Sequence, residues 1–331
     1  MPDSSTTIEG VVLVSTWIRW LGRFVAKALI VGLAFVLSLF GPVHLRVAVA
    51  DGVGSVSGTV KDTNDNPVAG VRVGINATAT PFVATNGSGA YTIPNVPNTA
   101  SPYDVQVLAP CTRDQSKRVV VDGAETVNFT IPLESKRAGY TCALSSLPYI
   151  DGVNDVAFPT SDDDVVQVNL PFSFPFFGVN RTVANVYTNG NLNFGAVGGT
   201  AFASQPSLPN SGAPNAAIYP FWDDLIIEGG QVRTTSGGVA PNRFFVLEWF
   251  NVKFFADYES RRVSFEAVLF ENGRIVFNYK DISELTEDTR ERGASATVGI
   301  ENGDGSAAFQ RSWNQPFLDN GLAFEFVPAP K

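Results

Sequence analysis

From Val53 onward the chain is patterned with a period of two. Val56, Gly58 and Val60 precede the turn Asn64-Asp65-Asn66-Pro67; Val71, Val73 and Ile75 follow it; Tyr91 and Ile93 come after Asn86-Gly87-Ser88-Gly89. The pairs Val105/Val107 and Val119/Val121 and the series Val127/Phe129/Ile131/Leu133 continue the alternation, with turn residues every 8 to 15 positions. Alternation of this kind places apolar side chains on one face of an extended strand, and no helical period of ten residues interrupts it before Leu133. Six or seven short strands in two sheets are expected over residues 51–133.

A second patterned region begins near residue 150 and is richer in aromatics. Val166, Val168, Leu170, Phe172 and Phe174 alternate; Val186 and Leu192/Phe194 flank Asn189-Gly190; Phe244 to Phe250 is apolar on both faces, as in a central, doubly covered strand. Val263, Phe265, Ala267 and Leu269 lead into Asn272-Gly273, a strong hairpin signal, and Ile275, Phe277 and Tyr279 lead back. The expected fold is all-β: two β-sandwiches in series, the second (150–331) with eight to eleven strands. Residues 134–149, charged and then apolar, are expected to be a connector that packs down.

Residues 1–50 read differently. Arg19, Arg23 and Lys27 precede an apolar run from Ala28 to Phe40, and Ala48-Val49-Ala50 stands before Asp51. This is the pattern of an export signal, with cleavage expected after Ala50; an uncleaved membrane-anchoring helix is the alternative. The expected location is extracellular, with membrane attachment only if the leader stays on. Without its leader the chain keeps 19 of 23 Lys+Arg and 30 of 32 Asp+Glu, a net charge of −11. Nucleic acid is therefore excluded as a partner, since phosphate binding draws on clustered cations. The two cysteines, Cys111 and Cys142, form an even pair in an exported chain, so one disulfide is expected, tying the connector back onto the first sandwich.

The chemistry open to such a chain is narrow. Its one histidine, His44, lies in the leader, and no G-x-S-x-G elbow or phosphate loop occurs. Serine and cysteine hydrolysis and zinc catalysis fall together, and no enzyme activity is expected. Glycoside hydrolysis needs only two carboxylates, for which Asp223 with Asp224 or Glu248 with Glu266 are the available pairs. No cofactor is expected beyond a structural calcium ion, for which Asp162-Asp163-Asp164, Asp223-Asp224 and the loop from Glu301 to Gly305 supply hard oxygens. Asp223, Asp224 and Glu301 are the chosen ligands. Aromatic faces beside polar groups suit a glycan or other surface polymer: Tyr187 near Asn189 and Asn191, Tyr219 with Trp222 and Asp223, and Trp313 beside Asn314 and Gln315. Tyr219, Trp222, Asp223 and Trp313 are the candidate binding residues.

Two resemblances add to this reading. GSVSGTVKDTNDNPVAGVRVGI and ATNGSGAYTIPNVP resemble the carboxypeptidase regulatory-like domain, a prealbumin-like sandwich, mostly an accessory that stabilises, spaces or binds. LPFSFPFFG, VYTNGNLNFG, PNAAIYPFWDDL, NRFFVLEWFNVKFF, FEAVLFENGRIVFNYKDI and ATVGIENGDG, in that order, resemble a β-sandwich of exported bacterial proteins. They are more distantly similar to nidogen-like and plexin-domain-containing proteins. The resemblance implies an adhesive or accessory module and brings no catalytic residue. The function expected is extracellular adhesion or ligand binding, the partner being a surface polymer, glycan or protein. A secreted carbohydrate-binding accessory or a carboxylate glycosidase is the alternative.

Overall fold

The computed structural model describes residues 52–330 apart from 76–81, 110, 112–113, 134, 198–206, 258–260 and 283–288. The expected leader helix lies outside the described residues. The described residues are all-β, without helix.

The first sandwich comprises β1 (Val53–Asp62), β2 (Arg72–Ile75), β3 (Val83–Ala84), β4 (Ala90–Pro97), β5 (Tyr103–Leu108), β6 (Gln115–Val119), β7 (Ala124–Thr126) and β8 (Phe129–Ile131). One sheet runs β4-β1-β7 with β8 also on β1, and the other β3-β2-β5-β6. Both β7 and β8 lie parallel to β1. The alternating residues meet between the sheets: Val56, Val60, Val73, Ile75, Tyr91, Ile93, Val105, Val107, Phe129 and Ile131 are buried in one core. A side chain at Gly58 would put its Cβ 1.9 Å from the Val127 carbonyl oxygen, so only glycine lets β1 lie this close to the following segment.

The second sandwich begins earlier than expected. Residues 134–149 are no mere connector, because β9 (Ser135–Arg137) and β10 (Tyr140–Leu144) are strands of the larger sheet, β10 paired along its length with the last strand. Tyr140 and Cys142 alternate inward and join the same core as Phe176 and Phe326, which makes the segment part of the sheet. Lys136 and Arg137 sit on the outermost strand, where charge discourages further pairing.

The remaining strands are β11 (Asn154–Asp155), β12 (Val165–Phe176), β13 (Val179–Tyr187), β14 (Leu192–Asn193), β15 (Ala217–Trp222), β16 (Leu225–Ile226), β17 (Gln231–Gly237) and β18 (Phe244–Phe254). They continue with β19 (Arg262–Phe270), β20 (Ile275–Asp281), β21 (Thr297–Glu301), β22 (Ala308–Trp313) and β23 (Ala323–Pro328). Nine strands form one sheet, β11-β17-β18-β19-β20-β23-β10-β9 with β16 also on β18, and six form the other, β12-β13-β14-β15-β21-β22. The count exceeds eight to eleven because several strands are two-residue pairings without a periodic signature. Between the sheets lies an aromatic core, with Trp249 stacked on Phe265 at 5.3 Å and Phe277, Phe324 and Phe326 edge to face. β18 is central as expected, Phe245, Leu247 and Trp249 facing this core and Val246 a smaller outer cluster with Val268 and Val276.

Several ties among the described residues join the sandwiches. Cys111, after β5, is bonded to Cys142 in β10, and both are buried. Arg311 of β22 donates to Ala109 O at 2.7 Å and pairs with Asp114 at 3.2 Å. In the opposite sense, Arg72 of β2 pairs with Asp319 at 2.8 Å.

Candidate functional site

The chosen aromatics lie on the outer face of the six-stranded sheet, but beneath other residues. Tyr219 and Trp222 stack at 5.0 Å with Leu208 and Ala308 in a small buried cluster. They are 1% and 2% exposed, so neither offers a ring face to a ligand. Glu301 lies on the same face, opposite Ala217, and accepts from Asn210 N at 2.5 Å while Tyr219 Oη stands 3.1 Å from its other oxygen. Glu301 thus holds the 208–214 loop on the sheet, and burial raises its pKa. Asp223 is also buried, accepting from Ser295 Oγ at 2.5 Å and from Asp224 N at 2.8 Å. Trp313, at the end of β22, is 39% exposed and is the member of the chosen set open to solvent.

The chosen calcium set is not assembled. Asp224 instead meets Asp162 and Asp163, one oxygen from each lying within 4.8 Å of the others. The turn Asn189-Gly190 brings these loops together. Asn189 Nδ2 donates to Asp163 at 2.9 Å, and its Oδ1 accepts from Leu225 N at 2.9 Å. Gly190 has φ +75°, and a Cβ there would sit 2.0 Å from Phe221 O. Burial and the neighbouring acids Asp163, Asp162 and Asp223 raise Asp224 to about 6. Three carboxylates are short of the six to eight oxygens that Ca²⁺ takes, so main-chain carbonyls or water would have to complete a shell.

The second carboxylate pair is brought together by register. Glu248 of β18 stands directly opposite Glu266 of β19, and both are wholly buried beneath the segment from Ser145 to Val153. Glu248 pairs with Arg233 through two bonds of 3.0 and 3.1 Å and accepts from Tyr149 Oη at 2.9 Å and Gly152 N at 2.8 Å. Glu266 accepts from Asn278 Nδ2 at 2.6 Å and Ile150 N at 3.1 Å. Burial raises Glu266 to about 8, with Glu248 and Asp151 adding to the rise. The pair binds the covering strap by its own main chain and leaves no face to a substrate. Period-two counting puts each glutamate in a strand; their mutual alignment depends on the β18–β19 register, which passes through a bulge between Trp249 and Val252.

The fold and these sites define a disulfide-linked β protein with two sandwich modules. The chain belongs to the NIDO-related family, whose model matches residues 139–326. The carboxypeptidase regulatory-like domain matches residues 55–134. These families point to an extracellular or ligand-binding β-sandwich protein, and the disulfide is compatible with an extracellular location. Among solved structures the chain is similar to fervidolysin from Fervidobacterium pennivorans, a keratinolytic enzyme related to subtilisin, at 13% identity and a TM-score of 0.20. The match covers 83% of this chain and 34% of that one, so the chain spans about a third of its length.

Proposed function

We propose that this chain is a non-catalytic exported protein that binds a partner outside the cell, in adhesion or ligand capture. The observation that carries this reading is the use made of the paired acids. Glu248 and Glu266 are consumed in holding a strap, and Asp223 in holding Ser295, so neither sequence-derived pair is presented to a glycosidic bond. The disulfide and the reciprocal arginines support a rigid two-module body of the kind suited to bracing or binding. The test offers the exported chain to intact cells, purified cell-wall polymers and soluble glycans, measuring retention and turnover together. Retention without turnover is the expected result. Release of reducing sugar that is lost in Asp223→Ala would overturn the non-catalytic reading.

A carbohydrate-binding accessory is the second reading, favoured by the exposure of Trp313 beside Asn314 and Gln315. It expects Trp313→Ala to weaken retention on an insoluble glycan with no change in melting temperature.

A further inference from the structure

We propose that the cleft between the two sandwiches is a binding site for one or two rings of a neutral saccharide. The cleft encloses about 410 Å³, within the size range of small-molecule pockets, which favour domain junctions. Its walls come from both modules: Gly70, Arg72 and Leu108 on one side, and Ser145, Ser146, Phe317, Asp319, Asn320 and Leu322 on the other.

The polar groups decide the ligand class. Arg72 is 96% buried by its 4% exposure, yet its guanidinium is incompletely used. Nη1 pairs with Asp319 at 2.8 Å and lies 3.4 Å from Leu318 O, and Nη2 donates to Phe82 O at 3.3 Å. Nε has no hydrogen-bond partner among the described residues. An unsatisfied buried donor costs about 1 to 3 kcal/mol, which a ligand oxygen would relieve. Asp319, half-buried, lines the same cleft with its carboxylate held by Arg72 Nη1 at 2.8 Å and Arg292 at 3.8 Å. Asn320, whose Oδ1 accepts from Ile282 N at 2.6 Å, brings an amide nitrogen as a donor group, and Ser145 Oγ, which accepts from Leu147 N at 3.2 Å, has its proton to give.

Arg72 and Asp319 are the charged residues lining the cleft and pair with each other, the Asp319 carboxylate being shared with Arg292 at 3.8 Å. An anion would meet Asp319 and a cation would meet Arg72. A hydroxyl both accepts from Nε–H and donates to a carboxylate, so a neutral polyol matches the cleft as neither ion does. Leu108, Leu144 and Leu322 supply apolar wall for the C–H faces of a ring.

This inference rests on the glycan-binding reading and is tested apart from it. The exported chain is titrated with cellobiose, maltose, lactose and N,N′-diacetylchitobiose, with binding read by saturation-transfer NMR and calorimetry. At least one disaccharide is expected to bind. Ser146→Trp, which fills the cleft from an exposed position, should abolish binding at unchanged melting temperature, and Arg72→Met should weaken it by about tenfold, the loss of roughly 1.4 kcal/mol. Trp313→Ala should leave it unchanged. Binding that survives Ser146→Trp overturns the cleft while leaving the glycan reading in place. No binding by any of the four overturns the cleft proposal, and retention on insoluble glycan then decides the broader reading separately.

Discussion

The two sandwiches solve the same packing problem with different materials. The small one closes over valine and isoleucine, and its few buried polar groups are used locally or given away: Asp62 caps the turn at Asn64 and Asn66, and Arg72 reaches into the other module. The large one surrounds an aromatic core with buried acids, Asp223, Glu248, Glu266 and Glu301, each fastening a loop or strap to a sheet. A small aliphatic core secures its strands through backbone geometry and then depends on its neighbour. A large sheet has outer faces to cover, and here buried carboxylates bond the covering segments, Glu248, Glu266 and Glu301 through main-chain N–H groups and Asp223 through the Ser295 hydroxyl.

The contrast is sharpest at Glu266. Its pKa is raised from 4.5 to about 8, so the folded state favours the protonated acid. The stabilisation from that proton is complete below about pH 4.5 and is lost as the pH rises through 8, amounting to about 3 to 5 kcal/mol over the window. Thermal melts from pH 5 to 9 should show a falling melting temperature, with a shallower fall in Glu266→Gln, which mimics the protonated form. Matching slopes in both proteins would mean that the strap is not fastened through this acid.

Dependence of the small module on the large one is probed by the disulfide. Replacing Cys111 and Cys142, 31 positions apart, with alanine should cost about 3 to 4 kcal/mol in the chain-entropy account. All three tryptophans after residue 50, Trp222, Trp249 and Trp313, belong to the large sandwich, so in a chain of residues 51–331 their fluorescence reports that module alone. In the double variant, loss of far-UV circular dichroism should begin at a lower temperature than the fluorescence change. Coincident transitions would erase the distinction drawn between the modules.

The smallest effect is expected at Asp224, in the cluster of acids with Asp162 and Asp163. Asp224→Asn relieves repulsion from Asp162 and Asp163 and should raise the melting temperature in EDTA by about 1 to 3 °C at pH 7.5, the modest size reflecting solvent screening. A wild-type protein stabilised by millimolar CaCl₂, beside an unresponsive variant, would turn this repulsive cluster into a cation site.

Much of the fold is legible as alternation. The core positions from Val56 to Ile131, the Asn272-Gly273 hairpin and the doubly covered β18 follow from period-two counting and turn chemistry. Tyr140 and Cys142 carry the same signal, but two inward residues in a charged setting are too short a run to distinguish strand from connector. The sites were less legible because they depend on register and loop approach. Tyr219 and Trp222 have polar neighbours in sequence, yet lie under a loop that Glu301 secures from more than 80 positions away. Arg72 and Asp319, 247 positions apart, carry no local signature of their partnership.

The placement of β23 has a consequence for biogenesis. This last strand lies between β20 and β10, so β9 and β10 cannot join the rest of the large sheet until residues 323–328 have been made and delivered. A chain cut short before then would leave two bare hydrogen-bonding edges flanking an uncovered aromatic layer, the arrangement most prone to intermolecular strand addition. Until β23 arrives, β9 and β10 stand apart from the body of the sheet, and its insertion is the step that closes the layer.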